Sequence, residues 1–109
     1  MSRGALFKEI KRLSERHEAL SSETRLLILT LLSALNEATW SQLKTSMEKA
    51  LGRRVNPNVL AFHLRRLLEA GLAERVERDG EVVYRFRGSD ELRRELSEAR
   101  SLAEEFVRE

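Results

Sequence analysis

Leu60-Ala61-Phe62-His63-Leu64-Arg65-Arg66-Leu67-Leu68-Glu69-Ala70-Gly71-Leu72 declares a helix with two faces and a defined end. Just before it, Asn56-Pro57 offers a capping side chain and a proline at the first helical position, where its missing N–H costs nothing. Gly71 supplies the stop. The helix is therefore expected from Pro57 to about Ala70. Leu60, His63, Leu64, Leu67 and Leu68 form its inward stripe. Asn58, Val59, Ala61, Phe62, Arg65, Arg66 and Glu69 are left on the opposite face.

Downstream, residues 72–87 alternate in the strand pattern and turn at Asp79-Gly80, a pair suited to positive φ. A two-residue turn pairs Arg78 with Glu81, Val76 with Val83 and Glu74 with Arg85, with Tyr84 and Phe86 on the other face. A three-residue loop would pair Val76 with Val82 instead. Complementary charges favour the first register, and a slip of one residue would invert the faces.

Upstream, Arg53-Arg54-Val55 is a basic connector. A helix ending at Leu51 and stopped by Gly52 precedes it, with Ser41 as expected cap and Leu43, Met47 and Leu51 along one face. Ala38-Thr39-Trp40 is a short β-prone stretch. Before it, a helix over about Ser22–Leu35 is apolar nearly all round, from Leu26 to Leu35, and should be central and buried. Asn36 suits its end.

The two chain ends carry similar seams. Leu6, Ile10, Leu13, His17 and Leu20 are spaced 4, 3, 4, 3, with Phe7 beside them. Leu92, Leu96, Ala99, Ala103 and Phe106 repeat that spacing in a last helix expected from an Asp90 cap to about Val107. Such spacing suits a coiled-coil seam. The seams can close on their own domain or pair with a second copy. The expectation is a homodimer, with interface residues Leu6, Ile10, Leu13, His17, Leu92, Leu96, Ala99, Ala103 and Phe106.

Composition narrows the function. With 109 residues the chain is expected to be one domain, residues 1–109. Within it, 1–20 and 88–109 are terminal dimerisation helices and 21–87 the core. At 41% hydrophobic and 35% charged it is globular. The absence of Cys excludes disulfides and thiolate metal sites. The longest mostly apolar stretch, Leu26–Leu35, is ten residues, too short for a membrane span. A cytoplasmic protein without membrane partner is expected. Sixteen Arg against four Lys, and only four Asn and Gln together, suggest a thermophilic source. Residues 53–87 hold eight Arg against five acids, whereas residues 88–109 hold four Arg against seven acids. One side is thus suited to a polyanion. No Gly-rich phosphate loop, nucleophile elbow or metal-ligand spacing appears, so no enzyme, metal or cofactor is expected.

Helix, helix, tight connection, helix and hairpin is the element order of a winged helix-turn-helix. The expected fold is mainly α with a small β wing, a winged helix-turn-helix with additional N- and C-terminal helices. Leu20-Ser21-Ser22-Glu23-Thr24-Arg25, the quoted helix through Leu72, Asp79-Gly80 and Tyr84-Arg85-Phe86 together resemble the ArsR-like winged-helix transcriptional regulators, more closely their archaeal members. The resemblance covers Leu20–Phe86 and is most specific at His63-Leu64 through Ala70-Gly71-Leu72. It implies double-stranded DNA as partner, a recognition helix over 57–70 in the major groove, a wing over 72–87 on the backbone or minor groove, and dimerisation through terminal helices. The chain departs from the family in a longer connector, Glu48–Asn58, and in lacking metal-sensor ligands, since His17 and His63 are its only histidines. The resemblance therefore carries DNA binding and not metal sensing.

The DNA-binding candidates are Arg53, Arg54, Asn56, Asn58, Val59, Phe62, Arg65, Arg66 and Arg78. Arginine's planar fork matches phosphates and guanine edges, and asparagine matches adenine. Arg75, Arg85 and Arg87 add to the basic segment, and any of these arginines could instead belong to a solvated face paired with Glu. Phe62 either covers the core at the helix edge or meets a thymine methyl or a partner. His63 is expected to be a packed, hydrogen-bonded core histidine. The alternative function is a protein-interaction module or subunit of a larger assembly, which Phe62 and the net charge of only +2 favour.

Overall fold

A computed structural model describes residues 3–16 and 22–107, in the order α1 (Arg3–Arg16), α2 (Glu23–Leu35), β1 (Glu37–Ala38), α3 (Trp40–Leu51), α4 (Pro57–Glu69), β2 (Ala73–Arg78), β3 (Glu81–Phe86), α5 (Asp90–Glu95) and α6 (Ser97–Val107). The chain is mainly helical with one small antiparallel sheet, ordered β1-β3-β2. No helix among the described residues is long and apolar enough to cross a membrane.

α2 is the central element because no face of it is polar. Every residue from Leu26 to Ser33 is buried, and α1, α3, α4 and α6 all pack on it. Ser22 caps it by accepting from the Arg25 N–H. β1 follows at once and pairs with β3, Glu37 opposite Arg85 and Ala38 opposite Tyr84.

α3 begins earlier than Ser41. Thr39 is its cap: the Thr39 hydroxyl accepts from the Gln42 N–H while the Gln42 side chain accepts from the Thr39 N–H. This reciprocal pair satisfies two helix-end donors where a lone serine would satisfy one. The strand accordingly lies one residue earlier than the β-prone stretch Ala38-Thr39-Trp40 and is only Glu37–Ala38.

α4 starts as its sequence predicts, with Asn56 as cap and Pro57 in the first turn. At its end Gly71 takes φ +75. The Leu72 N–H then reaches back to the Leu67 carbonyl and the Gly71 N–H to that of Leu68. This double bond pattern closes the helix and turns the chain straight into β2.

The hairpin takes the charge-complementary register: Arg78 opposite Glu81, Val76 opposite Val83, Glu74 opposite Arg85. Asp79 and Gly80 both have positive φ, 52 and 78, which matches the right-handed twist of the two strands. Phe86 and Ala73 face the core, with Tyr84 and Trp40 partly buried against it.

The last helix differs from expectation at its start and middle. Ser89, not Asp90, is the cap, its hydroxyl accepting from the Leu92 N–H at 3.1 Å, and Asp90 falls in the first turn. The helix is also in two pieces joined at Leu96. Hydrogen bonds still cross the joint, Leu96 N–H to Leu92 and Arg100 N–H to Leu96. Neither Pro nor Gly marks it.

The larger correction concerns the terminal seams. Leu6, Ile10, Leu13, Leu96, Ala99, Ala103 and Phe106 are all buried within the single chain, and Leu92 is half-buried against the same core. α1 and α6 close on α2 and on each other. A dimer built on those side chains would have to open the core of each protomer. The physical reason is α2: a helix apolar all round needs cover on every side, and the two seams supply it. His17, the remaining interface candidate, lies outside the described residues.

Candidate nucleic-acid interface

Thirteen residues of α4 make a rod about 20 Å long. Leu60, Leu64 and Leu67 are buried beneath it. Asn58, Phe62, Arg65 and Glu69, spaced 4, 3, 4, form its exposed ridge. Arg66 lies beside that ridge with its guanidinium carbon 5.8 Å from the centre of the Phe62 ring, within cation–π range. The Phe62 ring also meets His63 edge-on at 5.2 Å. Phe62 is thus an exposed aromatic, 46% accessible, and does not cover the core edge.

The predicted cations divide into two groups. Arg53, Arg54, Arg65 and Arg66 are exposed, and no ion pair engages them among the described residues. Three of the four hairpin-segment arginines are engaged, while Arg75 on β2 is exposed and has no ion pair among the described residues. Arg78 Nη1 lies 2.6 Å from Glu37 Oε2 on β1, Arg85 lies between Glu37 and Glu74, and Arg87 Nη1 lies 2.7 Å from Glu74 Oε2. Arg78 was expected to be a DNA-binding residue. The register instead brings it onto the β1 side of the sheet, where Glu37 takes its charge.

Two further candidates have local tasks. Asn56 Oδ1 accepts from the Asn58 N–H at 2.8 Å, so its side chain holds the helix start. Val59, also 46% exposed, sits on the α4 flank shared with His63 and Arg66, beside the ridge.

The connector is not loose. Glu48 Oε2 accepts from the Val55 N–H and from Lys44 Nζ, both at 2.9 Å. These bonds, the backbone one foremost, hold the Glu48 carboxyl below the usual carboxylate range. Arg53 and Arg54 are therefore presented on a loop anchored at Val55, immediately ahead of α4. Lys44 and Glu48 are four apart and legible as a helical pair, whereas the bond across the connector is not.

His63 departs from the expected hydrogen-bonded core histidine. It is half-buried, and its buried Nδ1 has no hydrogen-bond partner among the described residues. Burial foremost, and then the charge of Arg25, push its pKa below the ordinary histidine value. Among the described residues no group of three or more His, Asp or Glu side chains could hold a metal ion.

No family model matches the chain, and neither a curated protein nor a solved structure matches it.

Proposed function

We propose that this chain is a sequence-specific DNA-binding transcriptional regulator of the winged helix-turn-helix type, resembling the ArsR-like regulators without their metal-sensor ligands. α4 is the recognition helix in the major groove, and the β2–β3 hairpin is the wing beside the backbone or minor groove. One observation carries this reading: the exposed side of α4 and its connector present Arg53, Arg65 and Arg66 with no ion pair among the described residues, with Asn58 on the same side and Arg54 near only the Glu48 carboxylate, while Arg78, Arg85 and Arg87 of the hairpin segment sit on glutamates. Guanidinium groups on the ridge, beside it and on the connector, with the Asn58 amide, on a helix of groove length fit phosphates and base edges. Phe62 adds an apolar contact for a thymine methyl.

Selection of bound duplexes from random DNA tests this directly. A reproducible motif supports it, and recovery of no preferred sequence overturns it.

Val59 and Phe62 favour a second reading, a protein-interaction module. Among the described residues they are the exposed large hydrophobics, and both are on α4. For that module, Phe62→Ala would abolish capture of a protein partner while leaving DNA binding, if any, at its nonspecific level. The seam side chains expected at a homodimer interface pack in the protomer's own core, and the proposed regulator does not depend on their pairing two copies.

A further inference from the structure

A cavity of about 400 Å³ opens where α1, α2, α3 and the connector meet the start of α4. Its accessible apolar lining is Phe7, Leu51 and Val59, which are half-buried or exposed, while the core residues Leu27, Met47 and Leu60 at its edge expose almost no surface. Its wall also includes Glu23, in the first turn of α2, and Arg53 of the connector. Both side chains are exposed, and neither has an ion-pair partner among the described residues. The volume falls in the range of small-molecule sites, which are mostly apolar with a few polar groups that fix orientation.

We propose that this cavity binds an α-amino acid with a large apolar side chain. The side chain packs against Phe7, Leu51 and Val59, Arg53 takes the carboxylate and Glu23 the ammonium. Opposite charges on one apolar cavity select a zwitterion: a plain carboxylic acid meets Glu23 as a like charge, and a plain amine meets Arg53. The cavity also touches Asn56, the cap of α4, and Val59 in its first turn. A ligand seated there bears on the start of α4 and on Arg53 together. Its consequence for DNA binding rests on the function proposed above. The binding itself does not.

Calorimetry of the purified full chain without DNA tests the site, with phenylalanine, tryptophan and leucine as probes. N-acetylated and C-amidated forms of each serve as charge-blocked controls. At least one free amino acid should bind, and blocking either end should weaken it at least tenfold. Glu23→Gln should lose discrimination against the N-acetyl form, and Arg53→Gln that against the amide, with both variants folding because both positions are on the surface. Absence of binding by all three free amino acids, or equal binding of free and blocked forms, overturns the site. Repeating the selected-duplex titration with the amino acid bound is a separate arm. A changed DNA affinity supports the regulatory role, and an unchanged one overturns that role while leaving the site intact.

Discussion

Arg54 and Arg65 are both exposed and outside any ion pair of contact distance among the described residues, yet they should fail differently when removed. Arg54 lies on the connector, to which the proposed function gives phosphate contact, so Arg54→Ala should weaken binding to all sequences alike and reduce the salt slope by about 0.9 per lost contact. Arg65 is on the α4 ridge, and Arg65→Ala should relax preference at one base pair, where a good bidentate contact contributes roughly 1–3 kcal/mol of discrimination. Titrating both variants against single-base operator mutants separates the two effects; a uniform loss for Arg65→Ala would place that side chain on phosphate. His63 supplies a pH prediction. Its folded pKa is lowered, so between that value and 6.5 the unfolded chain holds more protons than the folded one. Stability is then full above 6.5 and falls as pH drops through 6.5 to the folded pKa. Urea melts should show this loss in the wild type and a flatter profile in His63→Gln. Much at this scale was legible, because α4 carries its face assignment in local spacing. The pairing of Arg78 was not, because Glu37 lies 41 residues away and meets it only through β1 and the hairpin.

Where elements begin and end, legibility depended on whether the signal was local and singular. Asn56-Pro57 and the Gly71 stop leave one solution for α4, and the hairpin register follows from three charge or valine pairs. Thr39 and Ser41, or Ser89 and Asp90, are competing caps a residue or two apart, and only the geometry of the preceding chain chooses between them. Two glycines at element boundaries should respond to alanine for opposite reasons. A Cβ on Gly71 meets nothing within 4 Å, so Gly71→Ala costs only the left-handed backbone, about 1–2 kcal/mol. Gly88 has ordinary φ, but a Cβ there would overlap the Phe86 ring and come within 2.9 Å of Leu92 Cδ2. Gly88→Ala should therefore strain the join of β3 to α5, on the order of 1–3 kcal/mol. Denaturant melts of the two variants, with near-ultraviolet circular dichroism of the aromatic environment, check both. The Gly88 variant alone should disturb the aromatic signal.

For the molecule as a whole, the sequence announced two apolar seams without announcing their partner, since periodicity shows that a face will be buried and not by which chain. Burial in the protomer changes what a truncation should do. Deleting residues 97–107 removes Ala99, Ala103 and Phe106 from the core and uncovers one side of α2. The product should lose its cooperative thermal transition and aggregate. A well-folded monomer in sedimentation and a sharp melt after this deletion would show that α6 is an appended arm. The same closure bears on how the chain acquires its structure. α1 and α6 touch although almost the whole chain separates them, and loop closure over such a separation is slow to reward. During synthesis the first helices leave the ribosome long before α6 exists, with the flank of α2 still wet. The nascent chain is therefore expected to remain collapsed but unfinished, and prone to sticking to its neighbours, until its last helix emerges and docks.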